Sequence, residues 1–318
     1  MADLTFVPTW VFLDSLIFII AMITTYDIIK KEEYPQYVLL EMVCFSLLYA
    51  AIFENFATIM GWYEYGRSLI MVGNVTLGVP IVEYLVVYTT LGMLRHMEIP
   101  EWCKPLIVGF FGRIFDFSLD PVAVRLRFTT VDGTIGRWTW FIDPSDANIY
   151  NVPVYNFSGW VLLCGYAAVF LILGRRWFKR SNYNHKVGVL YPMLSMLAAL
   201  AVLMSPLSNF LLWLEPIFFK GSIGEWIMLS VFLAAPVVLL LVFWRGRMKH
   251  RFLLKENYPT ALVFILLPVV NVVFAVVYGF FEILWLELLF AFLSCFLVLL
   301  VDYISRSEKQ VEASQIGS

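Results

Sequence analysis

The chain has 318 residues, 61% of them hydrophobic and only 14% charged, with a formal net charge of −2. Soluble globular domains carry about 25% charged residues, so this composition excludes an ordinary soluble protein. No basic tract suggests nucleic acid, and the net charge says little about partners because the charges collect between hydrophobic runs.

In chain order, runs of spanning length predict transmembrane helices over about 7–27, 36–61, 68–94, 104–120, 157–174, 187–213, 224–244, 258–279 and 281–304. The expected fold is all-α, a polytopic helical membrane protein of about nine transmembrane helices. It forms one integral membrane domain over 1–305, followed by a flexible polar tail over 306–318. The opening Met-Ala-Asp-Leu-Thr lacks a basic region ahead of an apolar core, so no cleaved signal peptide is expected. The fourth run is short, and the sixth contains Pro206, which can break it. The segment 121–156 is too polar to span. Within it, Phe128-Thr-Thr-Val and Arg137-Trp-Thr-Trp-Phe flank the turn signal Asp132-Gly133, which predicts a small hairpin-like cap on the membrane surface.

Lysine and arginine concentrate in loops one, three, five and seven and in the C-terminal segment. The opposite side holds only Arg67, Arg125, Arg127, Arg137 and Lys220. By the positive-inside rule this predicts a multi-pass cell-membrane protein with its N-terminus outside and its C-terminus in the cytoplasm. The parity also gathers polar groups at the non-cytoplasmic end: Glu54, Tyr63, Tyr65, Asn74, Arg113, Asp116, Asp120, Trp138, Trp140, Asn156 and Trp160. Their convergence predicts a pocket near one interface. Glu41 lies about 20 Å from Glu54 by helix rise and falls outside it. Glu83 is a further pocket candidate, and Asp14 is read as structural.

Cys44, Cys103, Cys164 and Cys295 are scattered without the spacing of a metal site or redox pair, and His96, His185 and His250 lie in basic loops. Neither a metal nor a cofactor is expected. The stretch Gly112-Arg-Ile-Phe-Asp-Phe-Ser-Leu-Asp-Pro121 carries more information. It puts Arg113, Asp116 and Asp120 on one face of a helix end, where a charge costs about 2.5–3.5 kcal/mol on insertion scales and therefore pairs, lines a wet cavity or does chemistry.

Two signatures resemble the carotenoid biosynthesis membrane proteins, which include carotenoid 1,2-hydratases and the bisanhydrobacterioruberin hydratase. The first is Glu54 followed by Gly61, Tyr63-Glu-Tyr65 and Gly78-Val-Pro80. The second, more specific, is Asp116, Asp120-Pro121, Trp138-Thr-Trp140 and Val152-Pro153-Val-Tyr-Asn156-Phe-Ser-Gly159-Trp160. The similarity covers about residues 45–165. The chain departs from the family pattern in the length between Pro121 and Trp138, at Asn151, and at Glu83-Tyr84. The resemblance implies a cofactor-independent hydratase of a trisubstituted isoprenoid double bond. Its substrate partner would be a carotenoid ψ-end group or, in a relative, a geranylgeranyl chain of an archaeal ether lipid.

The residues suit that chemistry. An acid protonates the alkene, a tertiary carbocation forms, and water adds to it. Asp120 is the proposed donor, with Asp116 held ionised by Arg113 and Glu54 holding the water or replacing either aspartate; Asp116 and Asp120 can exchange roles. Tyr63, Tyr65, Trp138, Trp140 and Trp160 offer π faces to the cation. Asn74 and Asn156 complete the polar lining, and Arg125, Arg127 and Arg137 are available to a lipid phosphate. Simpler roles stand beside these: an ion pair for the arginine and aspartates, a turn for Asp120-Pro121, interfacial belts for the aromatics, an N-cap for Asn156, and close packing for Gly61, Gly78 and Gly159. A carotenoid end-group cyclase and a non-enzymatic isoprenoid or lipid carrier are the competing functions.

Overall fold

The computed structural model describes residues 7–130, 133–144, 146–213 and 223–316. Among the described residues, seven helices are long and apolar enough to cross a membrane: Pro8–Lys31, Pro35–Ile59, Val154–Arg180, His185–Leu203, Ile223–Trp244, Tyr258–Val277 and Leu284–Ser307. The protein is a helical, multi-pass membrane protein. Large apolar side chains such as Phe12, Met22, Leu241, Val277 and Phe292 face outward, as expected where the surroundings are lipid.

Helix α1 (Pro8–Lys31) starts on a proline, whose missing N–H costs nothing in a first turn, and ends on Lys30 and Lys31, which suit the negative end of the helix dipole. Helices α2 (Pro35–Cys44) and α3 (Ala51–Ile59) form one rod joined by a π turn at Phe45–Ala50. The run expected from 68 begins as helix only at α4 (Gly78–His96); residues before it pair as β2 (Met71–Val72) and β3 (Val75–Thr76). Helix α5 (Lys104–Phe117) has 14 residues, about 21 Å of rise against a hydrocarbon core of about 30 Å. A break at Ser118 and Leu119 follows, then the single turn α6 (Asp120–Ala123). The long α7 (Val154–Arg180) and α8 (His185–Leu203) follow the cap. The sixth run does break at Pro206, which starts α9 (Pro206–Trp213). Helix α10 (Ile223–Leu239) runs into a second π turn, and α11 (Tyr258–Ala261) reaches α12 (Leu267–Val277) through a third. The segment from Arg306 continues α13 (Leu284–Ile316) as helix.

Helix α5 is the hub, packed against α4, α7, α10 and α13. Its seam with α7 depends on Gly109 and Gly112. A β-carbon on Gly109 would stand 2.5 Å from the Val161 carbonyl oxygen, and one on Gly112 would stand 2.6 Å from Cys164 Sγ. Of the glycines expected to pack closely, Gly78 does so against Asp14 Oδ1, whereas a β-carbon at Gly61 or Gly159 would meet nothing within 4 Å. Gly61 serves instead as a turn, with φ of 72°.

The cap is built differently from the expected hairpin. Strands β4 (Arg127–Thr130) and β5 (Gly133–Gly136) pair with each other; Asp132 of the expected turn lies outside the described residues. Strand β6 (Trp138–Trp140) turns away and pairs antiparallel with β1 (Tyr63–Tyr65), while β7 (Asn148–Ile149) and β8 (Val152–Pro153) form a last small ribbon. Arg137 sits at that change of partner and anchors it. The guanidinium is buried, donates to Asp14 Oδ1 at 2.6 Å and to the Trp10 carbonyl at 3.2 Å, and so ties the cap to α1.

At the other end of the bundle Arg175 grips Glu41 with two nitrogens, and Tyr191 donates to Glu41 Oε1 at 2.8 Å. This network locks α2, α7 and α8 together and keeps Glu41 away from the cap, as its spacing from Glu54 implied.

Candidate functional site

The β1–β6 ladder places Tyr63 opposite Trp140 and Tyr65 opposite Trp138. Alternation along each strand puts these four rings on one face and sends Glu64 and Thr139 to the other. The ring centroids are 4.4 Å apart for Tyr63 and Trp140 and 5.8 Å apart for Tyr65 and Trp138. The four rings form a roof over the ends of α3, α4 and α5.

Glu54, on α3, accepts hydrogen bonds on Oε2 from Tyr63 Oη at 2.6 Å and Tyr65 Oη at 2.5 Å. Burial, and then the charge of the adjacent Glu54 carboxyl, push both phenols well above the usual tyrosine range, so both stay protonated donors. Glu83, on α4, is 1% exposed and lies beside Glu54, with its Oε2 unpartnered. Asn156, in the first turn of α7, donates through Nδ2 to Asp116 Oδ2 at 2.9 Å and to Asp120 Oδ2 at 2.7 Å. One amide thus holds both aspartates side by side. Helix α7 is preceded by Pro153 with no side-chain cap, so Asn156 is not the N-cap. The Trp138 and Trp140 indoles approach Asp120, but neither N–H makes a hydrogen bond.

These groups surround a cavity of about 30 Å³. That is enough for one or two waters. Its lining is Glu54, Tyr63, Tyr65, Val79, Glu83, Leu119, Asp120, Trp138, Trp140, Asn156 and Trp160. Asp116 stands behind Asp120, reached through Asn156. Most of the residues expected to converge do so, and Glu83 joins them.

Three expectations are corrected. Arg113 does not pair with Asp116: its Nη2 donates to the Leu229 carbonyl at 2.9 Å, and the guanidinium lies 5.9 Å from the Phe117 ring centroid. Three helical steps leave two side chains about 60° apart, which here is enough to turn Arg113 toward α10 and Asp116 toward α7. Asn74 is not in the site. It is exposed in the β2–β3 turn, where its backbone N–H donates to Asn55 Oδ1 at 2.8 Å. The three arginines do not form an open phosphate cluster. Arg137 is committed to Asp14, and Arg125 bonds Glu282 at 2.7 Å and the carbonyls of Pro121 and Tyr150; only Arg127, which donates Nε to the Val124 carbonyl, remains exposed.

Sequence reasoning missed Val79 and Leu119, apolar lining residues with no chemical signature. Among the described residues, no group of three or more His, Cys, Asp or Glu side chains is arranged to hold a metal ion. Comparison with protein-family models, with curated proteins and with solved structures finds no match to this chain.

Proposed function

We propose that the protein is an intramembrane isoprenoid hydratase that needs no cofactor. The observation that carries this reading is the water-sized cavity bounded by Glu54, Glu83 and Asp120 and roofed by aromatic rings. Adding water to a trisubstituted alkene requires an acid, a screen for the cation and a base for the water. Asp120 lines the cavity and acts as proton donor, handing its proton to the less substituted carbon. Asp116 shares the Asn156 amide and holds the complementary charge state. The tertiary cation is stabilised by the π faces of Tyr63, Tyr65, Trp138, Trp140 and Trp160. Water, held by Glu54 or Glu83, adds to the cation and gives up one proton to that carboxylate. The small cavity means that the substrate enters as a narrow chain segment and displaces part of the roof.

In this reading α4 and α5 also cross the bilayer, giving nine spans with the cap outside and the C-terminus in the cytoplasm. The substrate is a carotenoid ψ-end or a geranylgeranyl ether lipid. With Arg125 and Arg137 engaged by internal partners, a hydrocarbon terminus fits the site better than a phosphate-bearing headgroup.

Heterologous expression with lycopene-type carotenoids and, separately, with unsaturated archaeal ether lipids tests the proposal. Mass spectrometry should find a gain of one water on one class. Asp120→Asn should lower turnover at least about 100-fold, and Asp116→Asn should also impair it strongly, with both proteins still accumulating in membranes. No hydrated product on either class would end the proposal. A mass-neutral cyclic product would replace it with a cyclase, and accumulation or movement of unchanged substrate would point to a carrier.

A further inference from the structure

A fifth acid stands close to the site without lining the cavity. Glu287, in the first turn of α13, is 0% exposed, and neither of its carboxyl oxygens has a hydrogen-bond partner. An acid in a first turn ordinarily serves the helix N-terminus. Here the Glu287 side chain makes no such bond, so capping does not explain it.

Two contacts fix its position. The Phe117 and Phe290 rings stack with centroids 4.2 Å apart and planes 5° apart, and Phe117 stacks equally on Phe157. Helix α5 runs toward the cap, and α13 starts there, where Trp285 bonds Tyr150. Asp120 follows Phe117 by three residues across the Ser118–Leu119 break, and Glu287 precedes Phe290 by about one helical turn, so both acids flank the stack on its cap side. Within the antiparallel α12–α13 seam, Ser294 donates to the Phe264 carbonyl at 2.7 Å. Asn271, on the same seam, is 2% exposed and has an unpartnered Nδ2. The charged groups that act on Glu287 are Arg125, itself tied to the exposed Glu282, and Asp120; Arg113, on α5, is directed to α10.

We propose that Glu287 is a proton-relay residue for Asp120, loaded at the cap end of α13 and discharging to the Asp120 carboxylate between turnovers. The role in turnover rests on the hydratase reading. Hydration consumes no net proton: Asp120 loses one to the alkene carbon, and water loses one to the carboxylate across the cavity. Donor and acceptor differ, so each cycle must reload Asp120 and unload its counterpart. Glu287 does the reloading. Glu287 acts through Asp120 and is a positioning residue.

The test has two arms on the full-length protein in membranes. In the first, dicyclohexylcarbodiimide, which modifies protonated carboxyls in apolar surroundings, is applied across a pH series and labelled peptides are quantified by mass spectrometry. Glu287→Gln should shift the pH of half-labelling at Asp120 by about half a unit or more, with Glu287→Asp restoring it. An unchanged Asp120 profile overturns the proposal. Should E287Q not accumulate, wild-type molecules already labelled at Glu287 must show the same altered profile at Asp120; independent labelling of the two overturns it. This arm needs no substrate and stands whatever reaction the site performs. In the second arm, E287Q should keep a near-normal first turnover and slow later ones about tenfold. Equal loss in first and later turnovers would reduce Glu287 to a structural role.

Discussion

Asn156 organises the acids. Its single Nδ2 bridges Asp116 and Asp120, so two groups that would otherwise repel are held at one point, where a proton can be shared between them. Glu54 is served in the opposite sense, by two phenols donating to one oxygen. A hydrogen bond to a charged group contributes about 1.5–3 kcal/mol. Tyr63→Phe and Tyr65→Phe should therefore each lower kcat about tenfold, with the double variant losing more than either. Because both phenols sit well above the usual tyrosine range, they remain donors as pH rises to 10, and the wild type should show no activity step from tyrosine ionisation below that pH. A pH–rate profile of the hydration assay reads both effects.

At the scale of elements, the seam between α5 and α7 holds the aspartates opposite Asn156. Gly109→Val would drive a side chain into the Val161 backbone, and overpacking of this kind costs about 1–3 kcal/mol. Thermal unfolding in detergent should show a lowered Tm, while Gly159→Ala, which meets open space, should leave Tm unchanged or slightly raised. Much of this arrangement was legible in the chain. Long apolar runs marked the helices, and the parity of the loops brought Glu54, Asp120, Asn156 and the aromatics to one end. The missed features depend on local angles. Arg113 and Asp116 are neighbours by spacing, yet rotation about α5 parts them. The π turn at Phe45–Ala50 breaks the α-helical phase between Glu41 and Glu54. Trp138-Thr-Trp140 reads as the second arm of a local hairpin, yet its partner is β1, far back in the sequence, and no short-range signal announces such a pairing.

For the whole molecule, charge is distributed by end. The cap end holds its arginines in ion pairs and carbonyl contacts, as with Arg137 and Arg125, while the other end carries Lys30, Arg95, Lys104, Arg180, Lys186 and Lys249. If that asymmetry sets the topology, a membrane-impermeant maleimide applied to intact cells should label Glu64→Cys on the cap and spare Lys186→Cys until the cells are broken. The reverse pattern would invert the assignment. Of the native thiols, Cys44, Cys103 and Cys164 are buried and Cys295 is half-buried, so the labelling is done in a Cys295→Ser background.

The roof over the acids is also their latch. Tyr63 and Tyr65 hang from the same short strand that closes the cavity, so any swing of that strand wide enough to admit a chain must pull two hydroxyls off Glu54 at once. Access and reactivity are then mechanically linked: the open form is disarmed, and the carboxyl regains its donors only as the door shuts behind the guest.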